Sequence, residues 1–264
     1  MTDSNEYTLI SADSHVVEPP DLFERLPSQL RSQAPKLGPL NGGDAWMVAG
    51  ADPVPLPASA GTGSGYPRFN LNHRKEKPLG FADILPGLYD PVERLRAQDA
   101  DSVQTEVLYP SAGLWEVITL LEDRDLKLAC VQAYNDWISA FCAHSPDRLI
   151  GLAKIPSTTC EDAREELLRC VNELNLHGAI LDAWPSGSLV AGNADDDPFW
   201  DAVNETRVPV SLHYAIGGGR RTLPPSGIAP GLKPPMADAA LPLVAAGVFD
   251  RFPEVKLVLA HGNA

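Results

Sequence analysis

Apolar positions along the chain follow two alternating rhythms. Six short segments rich in β-branched and aliphatic residues are Thr8–Ser11, Glu106–Tyr109, Leu149–Lys154, Gly178–Leu181, Val208–Leu212 and Val255–Leu259. Between them, apolar residues recur every three or four positions. Leu126, Cys130, Ala133, Trp137 and Phe141 make one such stripe, and Ala163, Leu167, Cys170 and Leu174 another. Glu161, Asp162, Glu165 and Glu166 crowd the start of the second, where the helix dipole favours acids. Asp90-Pro91 and Asp197-Pro198 each read as an N-cap followed by a proline in the first helical position. A further Ala-rich helix is expected over Asp238–Phe249. Short strands alternating with amphipathic helices predict βαβ units, and so an α/β fold of TIM type, a (β/α) barrel with parallel strands.

Two stretches break the rhythm. Residues 27–88 are rich in Pro, Gly and Ser and read as an insertion after the first strand. Within it, Asp44–Gly50 and Asp52–Leu56 predict a β-hairpin. Residues 216–235, again Gly- and Pro-rich, follow the fifth strand. Long loops inside a compact domain are usually functional or disordered, and both of these leave strands on the face where barrel sites form.

Composition narrows the class. With 264 residues, 44% of them apolar, the chain suits one barrel domain spanning residues 1–264. The formal charge of −14 argues against nucleic acid or an anionic membrane surface as partner, because both need a basic footprint. The N-terminus has neither a basic nor an apolar leader region, and the richest apolar stretch, Leu241–Val248, is short and contains Pro242. Cys130, Cys142, Cys160 and Cys170 show no metal-binding or redox spacing. A cytoplasmic location is expected.

The chemistry lies at strand ends. In a parallel barrel, polar groups at the C-terminal ends of strands converge on one mouth, whatever their separation in sequence. The first strand ends in Asp13-Ser14-His15, whose i, i+2 spacing puts both side chains on one side of an extended chain. The fifth ends at His213 and the sixth at His261. Any one of these has an ordinary structural reading, as a turn cap or a hydrogen-bonded histidine. Three strand ends carrying such groups together predict a site for a divalent ion, Zn²⁺ first and Mn²⁺ as the alternative. The glycines at 217–219 lack the strand–turn–helix context of a phosphate loop, so a nucleotide site is not expected.

These residues also carry a resemblance. Ile10–Phe23 at the start and Phe252–Gly262 at the end are similar to the amidohydrolase-related family, which includes aminocarboxymuconate semialdehyde decarboxylase and γ-resorcylate decarboxylase. Arg94-Leu95 with Asp99, Tyr109–Ser111, Ala133–Trp137, Pro146–Leu149 and Pro209–His213 extend the match. The resemblance implies that Asp13, His15 and His213 are metal ligands, Asp13 standing where His or Glu is usual. His261 matches the histidine that activates water or hydrogen-bonds the substrate beside the metal. The family's last metal-site residue, an aspartate ending the eighth strand, has no counterpart in these 264 residues. The expectation is therefore an incomplete barrel of about six βα units, from a truncated product or fragment, with a self-sufficient half-open domain or a homodimer that completes the barrel as the alternatives.

The implied activity is metal-dependent, non-oxidative decarboxylation of a small aromatic or unsaturated carboxylic acid, with the metal as Lewis acid. Hydrolysis of an ester, lactone or amide is the first alternative, and a non-catalytic fragment the second. Substrate contacts are sought at Arg68, Asn70 and Arg74 in the insertion, Trp115 after the second strand, Trp184 after the fourth, and Arg220 in the later loop. For each of these an ordinary solvated or core position is the competing reading. Tyr134–Asp136 reads as structural, and Glu18 as shaping the loop after the first strand.

Overall fold

All six predicted strands form, the third of them (Leu149–Lys154) as two short strands in different sheets, and the first runs further than its apolar run. A computed structural model describes residues 8–56, 79–188, 191–213 and 236–260, in two compact units, Met1–Gly151 and Leu152–Ala264. The first unit contains β1 (Leu9–His15), α1 (Ser28–Arg31), β2 (Lys36–Leu40), β3 (Gly43–Met47), β4 (Val54–Pro55) and α2 (Pro91–Asp101). It continues with β5 (Val103–Tyr109), α3 (Ala112–Leu120), α4 (Arg124–Cys142) and β6 (Leu149–Gly151). The second contains β7 (Ala153–Lys154), α5 (Cys160–Asn172), β8 (Ala179–Leu181) and α6 (Asp197–Thr206). After these come β9 (Val210–Leu212), α7 (Met236–Ala245), α8 (Val248–Arg251) and β10 (Leu257–Leu259).

The first unit holds a parallel sheet in the order β1-β5-β6 and an antiparallel meander β2-β3-β4. The second holds a parallel sheet in the order β10-β9-β8-β7. Parallel neighbours need crossovers, and the helices provide them. The fold is thus α/β with parallel sheets.

Helix boundaries follow local chemistry. Asp90 Oδ1 accepts from the backbone N–H groups of Val92 and Glu93, and Pro91 opens α2 as expected. Asp123 and Thr159 cap α4 and α5 in the same way. Asp197 does not act as a cap. It is the first residue of α6, and the preceding Asp196 turns its carboxylate to the backbone N–H of Ser186, 2.7 Å away. The single helix expected over Asp238–Phe249 is two, because Gly247 takes the left-handed conformation (φ +68°) and ends the first.

The predicted hairpin is β3–β4, and β2 extends it. Gly38 and Pro39 masked β2 in the sequence, but proline is tolerated on an edge strand. The two-residue turn Asn41-Gly42, both with positive φ, joins β2 to β3 and is the strongest short-range hairpin signal in this stretch. Leu108, Val131, Tyr134 and Ile138 are fully buried in the first unit, as are Leu167, Leu181, Phe199 and Trp200 in the second. Tyr134 and Asn135 are therefore core residues of α4. Among the described residues no helix is long and apolar enough to cross a membrane.

Candidate functional site

In the first unit a bulge sets the side-chain directions of β1. Ser11 pairs with Glu106 and Ser14 with Leu108, so Ala12 and Asp13 together oppose only Val107. The extra residue brings Ser11 and Ser14 to the same side, with their hydroxyls 2.7 Å apart, and Ser14 donates to Glu106 Oε1 at 3.1 Å. Asp13 and His15 are thrown together instead, with Asp13 Oδ1 3.5 Å from His15 Nε2. His15 Nδ1 lies 2.9 Å from the carbonyl oxygen of Pro110, which can only accept. That contact calls for a proton on Nδ1, so in the neutral ring Nε2 is the atom able to ligate, beside the Asp13 carboxylate. One oxygen and one nitrogen donor side by side is a donor set that fits a divalent metal ion.

Buried polar groups hold this strand end from behind. Arg94 of α2 donates to Glu106 Oε2 at 2.5 Å and to the carbonyl of His15 at 3.1 Å, while Gln98 donates to the same Glu106 oxygen at 2.8 Å. Glu18 shapes the following loop as expected. It is buried, and its carboxylate accepts from Ser111 N at 2.9 Å and Ser111 Oγ at 2.5 Å. Ser111 Oγ in turn caps α3 through Leu114 N. Burial pushes the Glu18 carboxyl up, and the Ser111 hydrogen bonds and the nearby His15 pull it partly back.

In the second unit His213 follows β9 and is buried, with its backbone N–H donating to Leu181 O at 3.3 Å. The same sheet carries a pair not anticipated from sequence. Lys154, at the end of β7, donates from Nζ to Asp182 Oδ2, just after β8.

Residues 83–264 match the amidohydrolase family model. The chain belongs to the amidohydrolase family. γ-Resorcylate decarboxylase of Rhodococcus jostii is 30% identical over 204 residues, covering 68% of this chain and 61% of that protein. The chain thus spans about three fifths of this curated relative, whose alignment covers 61% of its length. An amidohydrolase of Mycobacterium avium subsp. paratuberculosis superposes with a TM-score of 0.66 at 19% identity, over 96% of this chain and 71% of that one. A dihydroxybenzoic acid decarboxylase of Polaromonas, with bound manganese and the inhibitor 2-nitroresorcinol, superposes with a TM-score of 0.54 at 21% identity, over 96% and 64%. At such identities the superpositions carry the fold alone.

In this amidohydrolase, the predicted residues fall into three groups. Asp13 and His15 are brought together on β1, and His213 directly follows β9 in the other unit. His261, Arg68, Asn70, Arg74 and Arg220 lie outside the described residues. Trp184 is buried at 2% exposure, consistent with core packing, and Trp115 is half-buried in the first turn of α3. The strand-end rule that found His213 would also have found Lys154 and Asp182, had it been applied to the third and fourth strands.

Proposed function

We propose that this amidohydrolase catalyses metal-dependent, non-oxidative decarboxylation of a small aromatic or unsaturated carboxylic acid. The observation that carries the reading is the Asp13–His15 donor pair, with His15 Nδ1 committed to Pro110 O and Nε2 directed at the Asp13 carboxylate. The family membership and the name of the Rhodococcus relative supply the reaction class.

In this reading Asp13, His15 and His213 hold one divalent ion, and residues 1–264 act as one amidohydrolase-related barrel domain. The ion supplies Lewis acidity, drawing electron density from substrate oxygens. The Asp13 oxygen and the manganese of the Polaromonas enzyme support Mn²⁺ as well as Zn²⁺. His261 holds or transfers a proton beside the substrate, because imidazole exchanges protons near neutrality. The bond from the ring or vinylic carbon to the carboxylate breaks heterolytically. Its electron pair stays on that carbon, which takes a proton, and CO₂ leaves. Arg68, Asn70 and Arg220 are the proposed contacts for substrate oxygens, and Trp115 and Trp184 for its apolar face.

The test is turnover of 2,6-dihydroxybenzoate and related hydroxybenzoates by the purified chain supplied with Mn²⁺ or Zn²⁺, with release of CO₂ as readout. Hydrolysis of lactones or amides without CO₂ release would overturn the decarboxylase reading in favour of a hydrolase.

A further inference from the structure

Register in the second unit sorts its residues by chemistry. Lys154 pairs with Ile180, and Ile180 with Ser211. Two residues further along their strands, Asp182 and His213 rise from the same face as Ile180 and Ser211. Lys154, Asp182, Ser211 and His213 therefore share one face of the sheet. The other face presents Ala153, Ala179, Leu181, Val210 and Leu212, all buried and apolar. Lys154, Ser211 and His213 of that polar face are buried, and Asp182 is its partly exposed member.

Within that face the ion pair is asymmetric. The Lys154 side chain is 2% exposed and that of Asp182 14%. The ammonium lies beneath, and the carboxylate is the end that meets solvent. Holding a lysine in so dry a position is costly unless it is paired, so its position fixes that of the carboxylate. Lys154 engages Oδ2, and among the described residues no donor reaches Oδ1. An ionised carboxylate only accepts hydrogen bonds and has room for several. A fixed, outward-facing acceptor of this kind recognises a donor and repels an anion.

We propose that Asp182 is a specificity-determining residue that accepts a hydrogen bond from a hydroxyl group on the substrate, with Lys154 as the positioning residue that holds it. Such a substrate is oriented with its carboxylate away from Asp182. The inference rests on the decarboxylase reading for the carboxylate, but not for the hydroxyl.

The experiment is calorimetric titration of the full chain, loaded with Mn²⁺, using resorcinol and 1,3-dimethoxybenzene. These probes share a ring and differ in hydrogen-bond donors. A hydrogen bond to a charged acceptor predicts about 10–100-fold tighter binding of resorcinol. Asp182→Asn should lose most of that preference. The double variant Lys154→Met/Asp182→Ala, which removes both charges of the pair, should lose all of it while its affinity for 1,3-dimethoxybenzene and its metal content stay unchanged. Equal binding of the two probes by the wild type, binding of neither, or a preference retained in the double variant would each overturn the proposal. Failure of the decarboxylase reading would register separately, as absence of CO₂ release with the resorcinol preference intact.

Discussion

His15 Nδ1 and the carbonyl oxygen of Pro110 lie 2.9 Å apart across 95 residues of sequence, joining the end of β1 to the residue that follows β5. A backbone acceptor is not removable by side-chain substitution, so this contact sets the ring's tautomer whatever residue stands at position 110. The ligand itself is removable. His15→Ala should abolish stoichiometric binding of Mn²⁺ or Zn²⁺, read by elemental analysis after gel filtration, with the circular dichroism spectrum unchanged. Metal retained at the wild-type level would remove His15 from the site.

Arg94 and Glu106 are about nine-tenths buried, with side-chain exposures of 9% and 11%. Breaking such a pair from one side leaves an uncompensated charge. Arg94→Met is therefore expected to cost about 3–5 kcal/mol in urea unfolding. The double variant Arg94→Met/Glu106→Gln should cost less than the single one. Because Arg94 also donates to the His15 carbonyl, the single variant should weaken metal affinity as well.

Asp196 is fully buried, and burial holds its carboxyl above the ordinary range, aided by the flanking Asp195 and Asp197. The folded state thus binds this proton more tightly than the unfolded one. The associated stability is fully present below the unfolded pKa and is lost as pH rises through the folded value. Asp196→Asn keeps an oxygen for Ser186 N and removes the titration. Relative to the wild type, it should be more stable at about pH 7 than at about pH 4. Thermal melts at the two values check this, and parallel curves would count against it.

Burial pushes the Cys130 and Cys142 thiols up to about 12, and Cys170 is fully buried. Only Cys160 is partly exposed, and its thiol too is raised. At neutral pH the native chain should react with a thiol reagent slowly and at one site, and all four cysteines should react after unfolding. Fast labelling of more than one thiol in the native state would contradict this packing.

How much could be read from sequence depends on the range of the interactions involved. The strands and the α4 and α5 stripes were legible because periodicity is a local property of burial. Asp13 and His15 were legible as neighbours because two residues of extended chain bring side chains to one side. β2 was hidden by Gly38 and Pro39, although the Asn41-Gly42 turn announced it. The Asp197 cap was misplaced by one residue because Asp196 spends its carboxylate on Ser186, a loop contact that periodicity does not register. Strand ends mark Lys154 and Asp182 as residues, but that they pair, and that Arg94 pairs with Glu106, depends on register between elements distant in sequence, which no local pattern encodes.

The bulge at Ala12–Asp13 has a further consequence. A regular strand ties all its positions to a single odd–even count, so a change of neighbour on one side is felt as a change of frame on the other. One surplus residue cuts that tie. Upstream of it Ser11 keeps one count, and downstream Ser14 and His15 keep another, so β1 behaves as two short strands with separate parities. Removing Ala12 would merge them into one regular count, with Ser11 and Ser14 still on one side and Asp13 and His15 on the other, because Asp13 alone would then oppose Val107. A single-codon deletion of that small side chain would straighten the strand without exchanging its two sides, whereas a one-residue insertion downstream of it would exchange them.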